Sequence, residues 1–474
     1  MKKSILFILF FFATQNCFSQ YTLNPFYPSS DINGKQFGTN VDVDNNEVLV
    51  SSVSFEPTSN IGKVYLFNQI GGNLTQADVF YPSDALISDN FGSSISIKNN
   101  FIAIGSPMHD FGFENSGAVY LYKKIGNAYQ LLQKINAFDA NIDDHFGSYV
   151  KIWGNHLFIS ATENEPTGQD INTNSGAVYC YNFDGTQWVF SEKLTAVNSL
   201  KFGEKIEAEN DKIVISCRGL NTATNFVLNS YNWNTINWVF ESTCDIFGSL
   251  EQIVSDFSLS NNQLYLITTN LDTDENVLVL SNNTGNWNLT DNIVISDFSD
   301  QIFTKIKVDN NTMLIGSSGY TLQIQRNFPL LYYKKSGANW VYGTALFGTG
   351  VSGEDDNFGT SMSISGNSVI VGASIEGINS LGKAYYLDIT LNNNQFEKKK
   401  AVIYPNPTNK TVFIQNSSSS PVEKAEVFSI TGKLLFTADK NLEQLSLEKL
   451  SDGIYFIKVS FNQGSEEFFK VIKK

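Results

Sequence analysis

Histidine and cysteine are scarce in this chain of 474 residues, which contains three His and four Cys. No His-Glu-x-x-His motif and no paired Cys motif is present, so the sequence predicts no zinc site. The Gly-x-Ser-x-Gly motif is also absent, and no other Ser, His and Asp elements identify a nucleophile. His109, followed by Asp110, is expected to be a solvated loop residue. The sequence therefore offers no catalytic residue.

The chain also lacks an apolar run of the about 18 residues that a transmembrane helix needs. The apolar segment from Ile5 to Ala13 is shorter and follows Lys2 and Lys3, which predicts a signal peptide over residues 1–19. We expect the mature protein to have no transmembrane segment and to reach the cell surface or the medium.

Removal of the signal peptide would leave three cysteines, and an odd number excludes a complete disulfide framework. These cysteines are Cys180, Cys217 and Cys244. Cys217 and Cys244 could pair in an oxidising compartment. Buried thiols are the favoured interpretation.

Basic residues are outnumbered, with 32 Lys and Arg against 47 Asp and Glu and a net charge of −15. Residues 1–20 carry +2, and residues 397–474 carry +3 from 12 Lys and 9 acids, which leaves −20 for the middle of the chain. A surface this acidic repels phosphate backbones, so nucleic acid is not an expected partner.

Internal repeats dominate the middle of the chain. Seven related blocks begin at intervals of 54, 55, 56, 51, 49 and 56 residues. Each block alternates apolar and polar residues, turns at Asn or Gly, and alternates again, which is typical of a β-hairpin. A third strand such as Gly117–Tyr122 and a fourth such as Tyr129–Ile135 complete each unit. Four strands in about 50 residues are the content of one β-propeller blade.

Five blocks begin with a Phe-Gly pair, and two degenerate blocks begin at Ile253 and Ile302. An aromatic ring can wedge between blades, while Gly permits close approach of a neighbouring backbone. The expected structural residues of the repeat are Phe37, Gly38, Phe91, Gly92, Phe146, Gly147, Phe202, Gly203, Phe358 and Gly359. The pattern over residues 31–390, with Gly105-Ser-Pro107, resembles the FG-GAP repeats of secreted propellers and of the integrin α-subunit head.

The N-terminal segment of the mature chain contains a strand that the last repeat lacks. Phe26-Tyr-Pro-Ser29 is identical to Phe80-Tyr-Pro-Ser83, which ends the fourth strand of the first repeat. We therefore expect Tyr21–Tyr27 to complete the seventh blade and close the ring, which removes open sheet edges.

Asp residues recur two positions before the repeat Phe, as Asp89, Asp144 and Asp356. Some FG-GAP proteins bind calcium through Asp-x-Asp-x-Asp-Gly loops, but no such loop is present here. These three residues are therefore weak metal candidates, and the favoured role is capping of the turn that enters each blade. No cofactor is expected, and calcium is the only ion considered.

The loops between the second and third strands vary most in length and sequence. We expect them to cluster on one face of the ring, where variable loops on a rigid scaffold usually form binding surfaces. Glu114 and Glu163 are among the acidic residues on these loops.

A different pattern of short strands begins after Lys398-Lys-Lys400, and it predicts a small Ig-like β-sandwich. The segment resembles the type A C-terminal sorting domain of the type IX secretion system of Bacteroidetes. The resemblance rests on Pro405, Asn406, Pro407, Gly432, Lys433, Gly453, Lys473 and Lys474. It implies recognition by that secretion machinery.

The predicted fold is therefore all-β, a seven-bladed β-propeller followed by a small Ig-like β-sandwich. The expected domains are a signal peptide at 1–19, a propeller at 20–390, a linker at 391–402 and a sorting domain at 403–474.

Three functions remain open: an adhesin-like protein that binds an extracellular glycan or protein, a secreted hydrolase or lyase, and a structural spacer. The lack of a catalytic constellation favours binding. A conserved charged cluster in the central channel would instead favour the enzyme, and paired carboxylates distant in sequence are compatible with that alternative.

Overall fold

The computed structural model describes residues 23–29, 36–53, 61–70, 72–84, 86–164, 174–197, 199–219, 222–244, 252–270, 273–283, 285–295, 303–317, 329–348, 357–375, 381–389, 401–416, 421–429, 433–440, 442–461 and 466–474. The chain divides into two compact units, residues 1–389 and 390–474. All regular secondary structure in the described residues is β-strand, which confirms the all-β prediction.

The described residues of the first unit form seven antiparallel sheets from 29 strands. Strand β1 (Asn24–Phe26) precedes the repeats. Sheet 1 contains β2 (Phe37–Asp44), β3 (Glu47–Ser52), β4 (Lys63–Ile70) and β5 (Asn73–Phe80). Sheet 2 contains β6 (Ser94–Lys98), β7 (Phe101–Ser106), β8 (Ala118–Ile125) and β9 (Ala128–Ile135). Sheet 3 contains β10 (Phe146–Trp153), β11 (His156–Ala161), β12 (Ala177–Phe183) and β13 (Trp188–Leu194).

Sheet 4 has a fifth, short strand because its first strand is interrupted. It contains β14 (Ser199–Leu200), β15 (Ile206–Glu209), β16 (Lys212–Gly219), β17 (Thr222–Trp233) and β18 (Trp238–Cys244). Sheet 5 contains β19 (Gln252–Ser260), β20 (Gln263–Asn270), β21 (Thr273–Asn283) and β22 (Asn286–Val294). Sheet 6 contains β23 (Lys305–Asp309), β24 (Thr312–Gly316), β25 (Leu330–Ser336) and β26 (Asn339–Leu346). Sheet 7 contains β27 (Phe358–Ser365), β28 (Ser368–Ala373), β29 (Lys383–Asp388) and β1.

The hairpins between first and second strands use the turn residues that the sequence supplies. In sheet 2 the two-residue turn Asn99-Asn100 has φ values of 50° and 68°. Two consecutive residues with positive φ form the type I′ turn, whose twist matches that of the flanking strands. Asn tolerates this conformation better than other non-glycine residues, so the Asn-rich turns favour a single register.

The strand that precedes the repeats joins the two ends of the first unit. Asn24 pairs with Tyr386 and Phe26 pairs with Ala384, so β1 is the outer strand of sheet 7. The Phe26 ring also contacts Phe67 of sheet 1, at 4.9 Å between ring centroids. The first strand of each sheet contacts the first strand of the next, from β2 through β6, β10, β15, β19, β23 and β27 back to β2.

The core lies between neighbouring sheets, and each Phe of the five Phe-Gly pairs is buried there. The Phe91 ring packs at 5.4 Å from Tyr120 of its own sheet and joins a cluster with Leu49 and Val64 of sheet 1. Burial of one such ring contributes about 2 kcal/mol. The apolar contacts therefore hold adjacent sheets to each other as well as strands within a sheet.

The glycines of the five pairs have φ values between 87° and 101°. Gly147 shows why the neighbouring backbone requires this residue. A Cβ added to Gly147 would lie 2.7 Å from the Ala118 carbonyl oxygen, and one added to Gly105 would lie 2.1 Å from the Gly147 carbonyl oxygen. Two sheets therefore approach each other through facing glycines.

The second unit contains two antiparallel sheets. One contains β30 (Ala401–Tyr404), β31 (Thr411–Asn416) and β34 (Gln444–Ser446). The other contains β32 (Val422–Ser429), β33 (Leu434–Ala438), β35 (Gly453–Phe461) and β36 (Glu466–Lys473). Val412 and Leu445 of the first sheet share a hydrophobic cluster with Val427 and Ile457 of the second.

Candidate functional site

The first strands of the seven sheets surround a channel, and their alternating residues line it as stacked rings. Successive side chains on a strand point to opposite faces, so every second residue of each first strand faces the channel. The wide-end ring comprises Asn40, Ser94, Tyr149, Lys205, Asp256, Lys305 and Ser361. The central ring comprises Asp42, Ser96, Lys151, Glu207, Lys307 and Ser363. The narrow-end ring comprises Lys98, Trp153, Glu209, Ser260, Asp309 and Ser365.

The channel contains a wide cavity of about 470 Å³ at one end and a narrow cavity of about 150 Å³ at the other. Six Lys and Arg and four Asp and Glu line the wide cavity. Three Lys and four Asp and Glu line the narrow one. The wide end is therefore net positive in a protein whose total charge is −15.

Several ring residues bind the backbone of the next sheet. Asp42 Oδ2 accepts a hydrogen bond of 2.9 Å from the Ile97 N–H. Ser96 Oγ accepts one of 3.1 Å from the Ile152 N–H. Asp256 Oδ2 accepts one of 3.0 Å from Ile306 N–H. These bonds satisfy donors on first strands that have no strand partner on their inner side, and they fix the spacing between sheets.

Glu207 is the most deeply buried carboxylate of the channel, at 3% exposure. Both of its oxygens accept from Lys307 Nζ, at 2.9 and 3.0 Å, and Lys205 Nζ lies 3.5 Å away. Burial alone would raise the pKa of Glu207, but the Lys307, Lys205 and Lys151 ammonium groups lower it to about 2. Burial likewise opposes the charge of Lys307, and the Glu207 carboxylate nevertheless raises the Lys307 pKa.

Lys151 differs from Lys307, the other lysine of the central ring. Among the described residues, no carboxylate oxygen lies within 4 Å of its ammonium group. Burial and the neighbouring Lys307 charge lower the pKa of Lys151. The residue is half-buried, so its ammonium group remains open to the channel.

The weak metal candidate Asp89 lies in the turn segment that precedes β6 and is 3% exposed. Its Oδ2 accepts from the Leu86 N–H at 2.9 Å and lies 2.8 Å from His109 Nδ1. His109 Nε2 in turn lies 2.8 Å from Lys134 Nζ, which also binds Asp84. The expectation of a solvated His109 was wrong, because this side chain is 6% exposed and bonded on both ring nitrogens.

The same network recurs in sheet 3 with asparagine in place of histidine. Asp144 Oδ2 accepts from Asn141 N–H at 2.7 Å, and its carboxylate is hydrogen-bonded to Asn164. Asn164 Oδ1 accepts from Lys193 Nζ at 2.9 Å, and Lys193 binds Asp139. Burial raises the pKa of Asp144.

Asp356 lies outside the described residues. In the part of the chain that the structure describes, no three His, Cys, Asp or Glu residues form a group that could hold a metal ion. The carboxylates of Asp89 and Asp144 instead accept backbone N–H groups at turns, the kind of bond that a turn cap makes.

Cys180, Cys217 and Cys244 are buried and form no disulfide. Strand β17 separates β16, which carries Cys217, from β18, which carries Cys244. Two strand spacings amount to about 9.5 Å, which exceeds the reach of a disulfide. Burial raises the pKa of the Cys217 thiol to about 11, which disfavours the nucleophilic thiolate.

The second unit brings together motif residues that are distant in sequence. Asn406 Oδ1 accepts from the Ile472 N–H at 2.9 Å, so the segment Pro405–Pro407 binds the last strand. Lys473 Nζ lies 3.1 Å from Asp452, which precedes Gly453. The Ser429 N–H donates to the Lys433 carbonyl across a turn, and the Lys474 N–H donates to the Thr408 carbonyl. Gly432 lies outside the described residues.

The residues that line the channel were not predicted from sequence, although a signal for them is present. The ring residues follow each repeat Phe at every second position, as Asn40 and Asp42 follow Phe37. The alternation of apolar and polar residues identified the strands. It does not show whether the polar side chains of a given strand face solvent or a closed channel.

Two family models match separate parts of this chain. A family model described as FG-GAP repeat matches residues 74–122, which lie in sheets 1 and 2. A model described as secretion system C-terminal sorting domain matches residues 402–474, so the chain carries a type IX sorting domain after its repeat unit. No curated protein sequence matches the chain.

One solved structure that is similar to this chain is that of PorZ, described as an essential bacterial surface component of the type-IX secretion system of Porphyromonas gingivalis. It is similar with a TM-score of 0.45 and 10% sequence identity, over 93% of this chain and 60% of that one. The chain thus spans about 60% of the length of that protein. Within the described residues, no helix is long and apolar enough to cross a membrane.

Proposed function

We propose that this chain is a binding protein exported by the type IX secretion system to the cell surface or the medium. Its seven sheets would be the blades of a closed seven-bladed β-propeller, and residues 402–474 an Ig-like sandwich that serves as the export signal. The observation that carries the proposal is the sorting domain, which follows a unit whose first strands contact one another in a complete cycle.

The charged channel supports binding better than hydrolysis. A glycoside hydrolase needs one carboxylic acid that stays protonated near neutral pH, with a raised pKa. Glu207 is instead held ionised by Lys307 and Lys205, with a pKa of about 2. Of the other carboxylates in the channel, Asp42 and Asp256 accept backbone N–H groups of the next sheet. Glu207 and its lysines can orient a ligand, but Glu207 is not the protonated acid that hydrolysis needs. Burial raises the pKa of one other channel carboxylate, Asp309 of the narrow-end ring.

A structural spacer would need no cavity, whereas the channel has a wide cavity of about 470 Å³ lined by charged and hydroxylated side chains. That volume is within the range of small-molecule sites. This cavity favours a binding role over a spacer. The expected partner is an extracellular glycan or protein, together with the secretion machinery that recognises residues 402–474.

Export can be tested by following the full chain and a truncation that ends at residue 401 in a type IX-competent host. The full chain should reach the surface or the medium, and the truncated chain should stay inside the outer membrane. Asp452→Asn is the matched control, because it alters one exposed contact of the sorting domain and leaves the domain itself in place. Equal export of full and truncated chains would refute the assignment.

Binding can be separated from catalysis by incubating the purified chain with an array of extracellular polysaccharides. Retention of a glycan without release of new reducing ends would support the binding function. Release of new ends, abolished by Glu207→Gln, would favour the hydrolase.

A further inference from the structure

Two of the lysines that line the wide cavity, Lys151 and Lys305, form no ion pair with a described residue. Lys205 lies 2.8 Å from Asp256, and Lys307 lies 2.9 Å from Glu207. Among the described residues, neither Lys151 nor Lys305 has a carboxylate oxygen within 4 Å. An unpaired ammonium group in a confined cavity is costly, and an anion that enters the cavity would relieve that cost.

Two hydroxyl groups of the wide-end ring, those of Ser94 and Ser361, belong to residues that line the same cavity as these lysines. Ser94 Oγ donates to the Gly147 carbonyl at 2.7 Å, and Ser361 Oγ donates to the Gly38 carbonyl at 2.9 Å. Because each hydroxyl has only one proton, its oxygen can offer a lone pair to a ligand. The lysines can only donate. The ring therefore complements a ligand with a carboxylate and several hydroxyl groups.

We propose that the wide end of the channel binds the carboxylate of an acidic sugar, with Lys151 and Lys305 as its cationic contacts and Ser94 and Ser361 as acceptors for its hydroxyls. The inference rests on the proposed binding function and names the chemistry of its ligand. The net positive lining of this cavity, in a chain of net charge −15, gives the channel its preference for anions.

The test is titration of the purified full chain with glucuronate, followed by ligand-observed NMR or calorimetry, with glucose as the uncharged control. Glucuronate should bind and glucose should bind at least about tenfold more weakly, since a charge-assisted hydrogen bond is worth about that factor or more. Higher salt should weaken glucuronate binding.

Lys305→Gln and Lys151→Gln should each weaken glucuronate binding by about tenfold or more. Lys334→Gln is the matched control, because Lys334 is half-buried on β25 and does not line the cavity. Unchanged tryptophan fluorescence would show that each variant is folded. If Lys151→Gln does not fold, Lys305→Gln decides the result, because Lys305 forms no ion pair with a described residue that its loss would break.

Equal binding by the wild type, Lys305→Gln and Lys334→Gln would overturn the proposed site. Acetate binding as tight as glucuronate binding would overturn the role of the hydroxyls. If glucuronate does not bind while the exported protein retains other glycans, this inference fails and the proposed function stands. Failure to retain any glycan or protein would count against the proposed function itself.

Discussion

Glu207 provides the sharpest test of how the channel is held together. We expect Glu207→Gln to lower the free energy of unfolding of the first unit by about 3 kcal/mol or more at pH 7, because the substitution leaves Lys307 without its buried partner. The structural basis is the pair of hydrogen bonds of 2.9 and 3.0 Å between the two side chains, at a residue 3% exposed.

The lowered pKa of Glu207, which has the same Lys307 contact among its causes, corresponds to a similar magnitude. A pKa of about 2 in the folded chain, against an ordinary 4.5, corresponds to about 3 kcal/mol in favour of the folded state while the group is ionised. Because the folded-state pKa is the lower one, this contribution is complete above pH 4.5 and is lost as the pH falls towards 2. The difference between the wild type and Glu207→Gln should therefore shrink through that window.

Urea unfolding followed by tryptophan fluorescence measures this difference in the full chain. All six Trp lie between Trp153 and Trp340, so the signal reports on the repeat unit and not on the sorting domain. Asp211→Asn is the matched control, since Asp211 is exposed in the turn that follows Glu209, and it should change stability by no more than about 0.5 kcal/mol. A Glu207→Gln variant as stable as this control, or a loss that stays constant from pH 5 to pH 3, would refute the reasoning.

The remaining predictions concern sheet contacts and use the same unfolding measurement. His109→Asn copies the Asn164 of the next sheet and should cost no more than about 1 kcal/mol, whereas Asp89→Ala removes a buried acceptor and should cost about 2 kcal/mol; equal losses would contradict the shared network. Gly105→Ala would place a Cβ 2.1 Å from a backbone oxygen of the next sheet, so we expect a loss of about 3 kcal/mol, and a neutral result would show that the sheets can separate freely. Phe26→Ala should cost about 2 kcal/mol if β1 stabilises the ring, and an unchanged midpoint would show that the strand is dispensable.

The sequence by itself determined the strands, their turns and the presence of a sorting domain. Local alternation and Asn turns identify β-hairpins because the two-residue period of a strand is a property of neighbouring residues. The motifs from Pro405 to Lys474 likewise identified the sorting domain without knowledge of its contacts.

Only the tertiary structure decided which groups the polar side chains of the first strands contact. Lys151, Glu207 and Lys307 lie far apart in the chain and look like ordinary solvated strand residues until contacts between the first strands bring them together. Those contacts place Lys307 2.9 Å from Glu207 and bury the Glu207 carboxylate, which reduces screening of the pair by water. His109 was predicted to be exposed and is buried for the same reason. Asp89 and Lys134 reach it only when the sheet is assembled.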